Sequence, residues 1–317
     1  MSSEVKTEPE IVYPDVKVNI YKPKNPVEVP IVKNEIATVQ SSPNFIRHIT
    51  FDVSGTELEG QVRTGQSIGI LPEGLTEANG KPAKVRLYSA ASPSVGEDGE
   101  GKLISTTVKR LVDENWETQD LFMGLCSNYL ASKKPGDTVK MTGPSGKRFV
   151  LPENAHDFNY LFFATGTGIA PFRGMVNDLL ENGFENQLAL IFGCPYRTDL
   201  LYQDYFEDYD QRFDNFHYLK SISRESERED GSKHYVQYKL LDAWEILNPL
   251  LLKENTLIYI CGLKGMELGL YKLLAQQGYE GYLKISDEIS DKPPHKWEKE
   301  DLKKNVRPSE RMFLEVY

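Results

Sequence analysis

A glycine-rich turn after an apolar run is the first stretch of this chain whose composition suggests chemistry. The sequence ATGTGIAPF covers residues 164–172 and follows the apolar run NYLFFA. Glycines let a backbone turn tightly and approach a phosphate group, and the exposed N–H groups of a helix start favour its negative charge. Pro171 takes the place of the third glycine of the G-x-G-x-x-G fingerprint, at a helix position that tolerates its missing N–H. The stretch predicts a pyrophosphate site, with an ordinary glycine turn as the alternative.

A cluster of cations and hydroxyl groups follows further along the chain. A dinucleotide domain that prefers NAD often has an acid at the end of its second strand, but the run IFGCPYRT contains none. The next strand ends at SISRESERED, and GSKHY follows it. A 2′-phosphate carries close to two negative charges and is bound well by Arg and Lys with hydroxyl support. The set Ser223, Arg224, Lys233 and Tyr235 therefore predicts a 2′-phosphate site, and a charged surface loop is the alternative.

Three further stretches carry aromatic or reactive side chains. The sequence RLYSAAS, residues 86–92, could lay the ring of Tyr88 along a flat cofactor while Arg86 binds a phosphate, although a β-strand with unusual polar content is the simpler interpretation. Cys261 ends an apolar strand, and open α/β sheets bind ligands at that end, although a small buried hydrophobic side chain is the simpler interpretation. The sequence FLEVY, residues 313–317, favours an edge strand, or an aromatic ring delivered to a specific place.

The elements that must position these residues follow two patterns. Residues 29–152 consist of short β-rich runs between turn signals, interrupted by one short helix at CSNYLASK, and predict an antiparallel barrel or sandwich. Residues 153–317 alternate strands that are apolar throughout with helices, which predicts a doubly wound α/β domain with a parallel sheet. Residues 1–28 lack a clear periodicity and predict an extended arm. We therefore expect two domains preceded by an arm.

Composition indicates a globular protein of a reducing compartment. The chain has 317 residues, of which 39% are hydrophobic and 26% charged. No apolar stretch approaches the roughly 20 residues of a bilayer span, and the first residues do not resemble a signal or transit peptide. Three widely separated cysteines cannot form a complete disulfide framework, and no spacing of Cys and His resembles a metal site. We expect a cytoplasmic protein, or the mature form of a plastid stromal one, without a metal.

The net charge of −10 is unevenly distributed. Lys and Arg against Asp and Glu number 14 and 14 in residues 29–152, but 19 and 28 in residues 153–317. An acidic chain is by default a poor binder of nucleic acid. Basic clumps at Lys81, Lys84 and Arg86, and at Lys109 and Arg110, could contact an acidic partner, although a solvated surface is the plain alternative.

Taken together, the motifs resemble the plant-type ferredoxin–NADP(H) reductase family. RLYSAAS, GLCSNYL, TGTGIAPFRGM, SISRE with KHY, YICGLKGME and EVY occur in the family's order between about residue 60 and residue 317. The resemblance implies an antiparallel β-barrel that binds FAD, then an α/β domain that binds NADP(H), with the flavin in the cleft between them. It also implies a protein partner, ferredoxin or flavodoxin, that exchanges single electrons while NADPH exchanges a hydride. We expect the enzyme to be a monomer.

The resemblance also implies roles for individual residues. Those on the flavin side are Arg86, Leu87, Tyr88, Ser89, Val108, Lys109, Gly124, Leu125, Cys126 and Ser127. Those on the NADP(H) side are Thr167, Gly168, Ser223, Arg224, Lys233, Tyr235, Gly262, Leu263 and Glu267. The catalytic set is Ser89, Cys261, Glu315 and Tyr317. Ser89 and Glu315 could pass a proton to the flavin N5, and the ring of Tyr317 would cover the flavin face that the nicotinamide needs.

Two stretches depart from the family, and other functions remain open at this point. Asp113 stands where the family often has a Tyr that stacks on the FAD adenine, so either Trp116 replaces it or the adenine is held loosely. Residues 286–311 are longer than the family's usual route into the last strand. The alternatives are a flavin-free nicotinamide dehydrogenase, a catalytically inert module that keeps the fold, and a flavoreductase with a different acceptor.

Overall fold

The computed structural model describes residues 9–317, so the first eight residues of the predicted arm lie outside the described part. Most of the described arm has no regular structure and contacts both halves of the protein. The amide of Asn19 donates to the carbonyl of Pro144 at 2.8 Å in the first half. The ring of Tyr13 packs edge-on against Phe313 of the second half, with 6.4 Å between ring centroids. The arm therefore follows the line along which the two halves meet.

The first half is built on an antiparallel sheet. Its elements are β1 (Val27–Ile36), β2 (Ile46–Asp52), β3 (Ser67–Leu71), β4 (Arg86–Ser89), β5 (Leu103–Lys109), β6 (Val112–Glu114), β7 (Leu121–Met123), α1 (Leu125–Ser132) and β8 (Thr138–Ser145). Six strands form the sheet in the order β4-β3-β8-β1-β2-β5, and β6 and β7 pair separately. An isolated bridge between Ala90 and Thr106 joins the two edges of the sheet, which curls it into a barrel-like form. The predicted antiparallel barrel is confirmed.

The second half is built on a parallel sheet. Its elements are β9 (Asn159–Thr165), α2 (Ala170–Leu180), β10 (Leu188–Cys194), α3 (Gln203–Arg212), β11 (Phe216–Ile222), α4 (Lys239–Asp242), α5 (Trp244–Leu251), β12 (Thr256–Gly262), α6 (Met266–Gln276), β13 (Leu283–Ile285), α7 (Asp287–Ser290), α8 (Lys299–Asn305), β14 (Val306–Pro308) and β15 (Met312–Val316). Five strands form the sheet in the order β11-β10-β9-β12-β15. Every pair in this sheet is parallel.

Helices cover both faces of the parallel sheet, which explains why its central strands are apolar throughout. One face packs Phe162 and Leu190 against α2 and α3. The other face packs Phe163 and Ile191 against α5 and α6. The predicted doubly wound α/β architecture is confirmed.

The long route into β15 is ordered. The strands β13 and β14 form an antiparallel pair, and α7 and α8 lie between them in sequence. Trp297 is 3% exposed, and its backbone carbonyl accepts a hydrogen bond of 2.7 Å from the Lys272 side chain on α6.

No helix in the described residues has the length and apolar character that crossing a membrane requires. Within residues 9–317 we find no group of three or more His, Cys, Asp or Glu side chains placed to hold a metal ion.

A buried polar network joins the two halves. Arg173 on α2 donates to both carboxylate oxygens of Glu97, at 2.6 and 2.9 Å, and to the carbonyl of Ala91 at 3.0 Å. His48 on β2 lies 3.6 Å from the same carboxylate and 2.9 Å from the hydroxyl of Tyr202, just before α3. Glu97 precedes β5, so this network fixes α2 and α3 against the barrel. The end of β15 lies beside β3 and β4, to which Glu315 is hydrogen-bonded.

Candidate functional site

A partly buried carboxyl group lies where the two sheets meet. Glu315 on β15 accepts hydrogen bonds of 3.1 Å from the hydroxyl of Ser67 on β3 and of 3.1 Å from the hydroxyl of Ser89 on β4. Ser67 and Ser89 are register partners, so both hydroxyls point to the same side of their strand pair. Burial raises the pKa of Glu315, and the two hydroxyl donors act in the opposite direction. The arrangement can hold and exchange a proton between the two halves.

Cys261 lies beside this carboxyl group. It is the register partner of Glu315 in the parallel pair of β12 and β15, and it is fully buried. Burial, together with the Glu315 carboxylate, raises the pKa of its thiol well above the usual value. A neutral thiol is a poor nucleophile, so Cys261 does not act as one. The structure thus brings Ser89, Cys261 and Glu315 of the predicted catalytic set into one cluster.

Tyr317 is held by its backbone while its ring stays accessible. Its amide donates to the carbonyl of Gly262 at 3.0 Å, and its carbonyl accepts from the amide of Lys264 at 2.9 Å. The residue as a whole is 57% exposed, and its hydroxyl lies 2.6 Å from the Thr167 hydroxyl on the glycine turn. Movement of the ring therefore needs rotation of the side chain and loss of the contacts that its hydroxyl group makes with the glycine turn, at Thr167 and at the backbone of Gly168.

The glycine turn between β9 and α2 has the open backbone that a pyrophosphate needs. Gly166 has a φ of +54°, in the left-handed region, and a Cβ built on it meets nothing within 4 Å. Gly168 lies tightly against the end of β12, where a Cβ would come within 2.2 Å of the carbonyl oxygen of Cys261, so this position has no room for a side chain. Pro171 lies in the first turn of α2, as the sequence predicts. The turn fits an anionic ligand and joins it to the Tyr317 ring through Thr167.

The predicted 2′-phosphate residues lie together beyond the ends of β10 and β11. The amide of Ser223 donates to the carbonyl of Cys194 and that of Arg224 to the carbonyl of Pro195, both at 3.0 Å. An isolated bridge between Glu227 and Lys233 returns the chain toward these residues. Tyr235 is 48% exposed, and neither Arg224 nor Lys233 forms an ion pair within the described part of the chain. Exposed, unpaired cations beside a hydroxyl and an aromatic ring fit a phosphorylated adenosine.

The strand β4 and the start of α1 suit a flat, anionic cofactor such as FAD. On β4 the side chain of Leu87 is 59% exposed, between the partly buried Arg86 and Tyr88. The guanidinium of Arg86 lies 2.8 Å from Glu77, an exposed pair that a stronger anion can replace. The helix α1 begins after Gly124 without a side-chain cap or an acidic residue in its first turn. Its free N–H groups can therefore donate hydrogen bonds to a pyrophosphate.

The remaining predicted residues have simpler surroundings. Val108 is buried in the barrel core, Lys109 is exposed, and Cys126 is buried at the start of α1, near Leu125 and Ser127. The amide of Leu263 donates to the Thr165 hydroxyl at 3.0 Å, and the carboxylate of Glu267 accepts from the amide of Gly265 at 2.6 Å. Glu267 therefore shapes the turn after Gly262. Asp113 is the register partner of Phe122, and Trp116 is 94% exposed between β6 and β7.

Sequence reasoning missed three residues that touch these clusters. Ser67, the second donor to Glu315, lies in RTGQSIGIL, and only its pairing with Ser89 indicates its place. Thr165 holds the turn after β12 through its hydroxyl group. Arg197 follows β10, in the run IFGCPYRT, and its side chain lies 3.1 Å from the carboxylate of Glu225.

Comparison with known proteins finds a family model, related sequences and a related structure. Residues 162–271 match the model of the oxidoreductase NAD-binding domain family. The chain is 41% identical to a ferredoxin–NADP reductase of Thermosynechococcus vestitus, over 81% of this chain and 67% of that protein. It is 40% identical to one of Spirulina sp., over 89% and 97% of the two chains, and 39% identical to the chloroplastic leaf isozyme 1 of Arabidopsis thaliana, over 95% and 80%. A solved ferredoxin–NADP+ reductase of Plasmodium falciparum has the same fold, with a TM-score of 0.68, 23% identity, and coverage of 95% of this chain and 99% of that one.

Proposed function

The chain belongs to the ferredoxin–NADP reductase family, and from this premise we propose that it is an FAD-dependent enzyme that exchanges the hydride of NADP(H) for single electrons of ferredoxin. The observation that carries this proposal is the cluster of Ser89, Glu315 and Cys261, which combines residues of both halves beside the Tyr317 ring. Neither half supplies the cluster alone. A reaction between two cofactors needs a site at which residues of both halves hold the reacting groups close together.

On the barrel side, we propose that Tyr88 and Leu87 contact the flavin ring and that Arg86, with the first turn of α1, binds the pyrophosphate. FAD, when bound, supplies a centre that takes two electrons from the nicotinamide and passes them on singly. The Arg86 guanidinium would leave Glu77 for the more highly charged pyrophosphate. The exposed Leu87 side chain would become covered, which also excludes water from the ring.

Where the two halves meet, Glu315 serves as a proton reservoir and Ser89 as the group that relays the proton. The Ser89 hydroxyl donates to Glu315 and also lies next to the Cys261 thiol. Ser67 holds the other carboxylate oxygen, so the orientation of Glu315 is fixed from two strands. Because its pKa is raised, Glu315 keeps a larger protonated fraction near neutral pH than an ordinary glutamate, and a proton donor requires this.

On the α/β side, the glycine turn at Thr167 and Gly168 would bind the NADP(H) pyrophosphate. Ser223, Arg224, Lys233 and Tyr235 would bind the 2′-phosphate and the adenine, at the carboxyl edge of the sheet. Gly262 and Leu263 would line the nicotinamide pocket, and Glu267 would support their turn. We propose domain limits of 29–152 for the FAD-binding part and 153–317 for the NADP(H)-binding part.

The protein partner would approach the barrel half, where the exposed basic clumps lie. We propose an acidic ferredoxin as the partner, with a flavodoxin as a second acceptor that the same surface would bind. Because one chain supplies every residue of the proposed site, we propose that the enzyme acts as a monomer. We place it in the cytosol or in a plastid stroma.

The test is a sequence of two reactions on the purified protein. We expect a yellow protein with flavin absorption bands, and rapid bleaching of these bands when NADPH is mixed in a stopped-flow instrument. Mixing the reduced enzyme with a [2Fe–2S] ferredoxin should then reduce the ferredoxin. A protein that stays colourless after incubation with FAD yet reduces a substrate with NADPH would instead be the flavin-free dehydrogenase. A yellow protein that NADPH does not bleach would be the inert module.

A further inference from the structure

A carboxylate lies directly beside the proposed 2′-phosphate pocket. Glu225 follows Arg224 in sequence, and its side chain is partly exposed, at 33%. Adjacent Cα atoms are about 3.8 Å apart, so Glu225 lies well within one Debye length of a phosphate bound by Arg224. A negative charge at this distance repels a 2′-phosphate and favours a cofactor with a free 2′-hydroxyl group.

Arg197 holds this carboxylate through two contacts. Its backbone amide donates to one oxygen of Glu225 at 2.5 Å, and its side-chain Nε lies 3.1 Å from the other oxygen. The two strand ends that carry Arg197 and Glu225 are fixed together, because the amide of Arg224 bonds to the carbonyl of Pro195. The Arg197 side chain is 78% exposed and has no other carboxylate partner in the described residues. Its position is therefore set by Glu225.

Two other charged groups of this loop, Arg228 and Asp230, have partners of their own. Arg228 forms an ion pair with Asp242 and lies over the ring of Tyr238, at 4.6 Å from the ring centroid. Asp230 accepts a hydrogen bond of 2.6 Å from the Ser232 hydroxyl. Neither of them contacts Glu225. Arg197 is thus the residue of this region that neutralises the carboxylate next to Arg224.

We propose that Arg197 is a positioning residue for cofactor specificity: it pairs with Glu225 and neutralises its charge, so that the 2′-phosphate of NADP(H) can bind beside Arg224. The inference rests on the 2′-phosphate site proposed above and adds a residue to it. Arg197 acts through Glu225 and makes no contact with the phosphate itself. Without Arg197, the free carboxylate would oppose the phosphate and would leave an unphosphorylated adenosine unaffected.

The test measures binding of two small probes to the holoenzyme by calorimetry. The probes are 2′,5′-ADP, which carries the 2′-phosphate, and 5′-AMP, which lacks it. In Arg197→Gln the affinity for 2′,5′-ADP should fall by about five- to tenfold, because an unmasked charge lies within a Debye length, while the affinity for 5′-AMP stays unchanged. Removing the carboxylate as well, in the Arg197→Gln/Glu225→Gln double variant, should restore the affinity for 2′,5′-ADP to within about twofold of the wild type.

Two further variants separate the possible failures. Arg212 forms a comparable ion pair with Glu181, 2.8 Å apart, at the amino ends of the parallel strands and therefore away from the proposed 2′-phosphate site. Arg212→Gln should therefore bind both probes like the wild type. Arg224→Gln should lose affinity for 2′,5′-ADP alone, and if it does not, the 2′-phosphate site itself is wrong. If Arg224→Gln behaves as expected but Arg197→Gln matches the wild type, only the role of Arg197 is refuted. A double variant as weak as Arg197→Gln would also refute it, because Arg197 would then contact the phosphate directly.

Discussion

At the scale of single residues, Tyr317 combines a fixed backbone with a removable ring. Two backbone hydrogen bonds, to Gly262 and from Lys264, hold the residue at the end of β12. The ring itself is held by the hydrogen bond between its hydroxyl group and that of Thr167, and by packing against the surface beneath it. Stacking of an aromatic ring contributes about 0.5–1.5 kcal/mol beyond area burial, which a substrate can offset. The residue therefore suits a gate that closes over the flavin and yields to the nicotinamide.

Replacing Tyr317 by Ser should make this gate permanently open. Because the nicotinamide would no longer compete with a ring, we expect NADP+ to bind about two- to tenfold more tightly, which is the stacking energy expressed as affinity. Turnover should fall because product leaves more slowly, and the preference for NADPH over NADH should weaken. Difference spectroscopy with NADP+ and steady-state rates with both nucleotides measure these effects.

The matched control is Tyr317→Phe, which keeps the ring and removes only the hydroxyl group that contacts Thr167. It should bind NADP+ with nearly wild-type affinity and keep the preference for NADPH. If Tyr317→Ser behaves like the wild type in affinity, turnover and nucleotide preference, the gate does not exist. Tyr317 would then be an ordinary residue at the end of an edge strand.

At the scale of elements, the strands of both sheets were predictable and their mutual contacts were not. The strands β9, β10 and β12 are apolar throughout because helices cover them on both faces, and this pattern is visible in sequence. Short β-rich runs with turn signals likewise indicated the barrel. The pair of Ser67 and Glu315 joins residues 248 positions apart, so it depends on strand register and on how the two halves meet. Neither the strand register nor the contact between the two halves can be predicted from the local sequence.

The candidate site shows the same division. The glycine turn and the cluster after β11 were found because their residue types suit phosphates, which is local chemistry. Arg197 escaped notice because the group it contacts, Glu225, lies 28 positions later, beyond the end of the neighbouring strand β11. His48 gave no sequence signal either, although it lies at the junction of β2 with α2 and α3. Residues that act through a distant partner are visible only in the folded chain.

The junction of β2, α2 and α3 should make the stability of the protein depend on pH. Burial lowers the pKa of His48 to about 4; Arg173 and Lys33 also lower it, whereas Glu97 raises it. A histidine in the unfolded chain has a pKa of about 6.5, so between pH 6.5 and 4 the unfolded state binds the extra proton. The free energy of unfolding should therefore decrease by about 2 kcal/mol between pH 7 and pH 5 on account of His48 alone.

In His48→Gln, which can still bond to the Tyr202 hydroxyl, this part of the pH dependence should disappear. Urea denaturation of the holoenzyme at pH 7 and pH 5 compares the two proteins. His295 is exposed, so His295→Gln should keep the full wild-type decrease. An equal decrease in His48→Gln and the wild type would mean that His48 is protonated in the folded protein as readily as in the unfolded chain.

At the scale of the whole molecule, the two halves differ in net charge in a way that directs an acidic protein partner to the barrel half. Residues 29–152 carry equal numbers of acidic and basic side chains, while the excess of acid lies in residues 153–317. Lys81, Lys84, Lys109 and Arg110 are exposed on the barrel half. An acidic protein would therefore be repelled by the α/β half and accepted by the barrel half, which orients it during approach.

Electron transfer to an acidic ferredoxin should consequently slow as salt is added. The Debye length shrinks from about 30 Å at 0.01 M ionic strength to about 8 Å at 0.15 M, so we expect the second-order rate to fall about tenfold or more over this range. Stopped-flow mixing of reduced enzyme with ferredoxin measures it, and transfer to a neutral quinone should change little. The double variant Lys81→Gln/Lys84→Gln should be slower at low salt and less sensitive to salt, whereas Lys304→Gln on the α/β half should match the wild type. A rate independent of salt in the wild type would mean that charge does not guide this partner, and that the exposed basic side chains are an ordinary solvated surface.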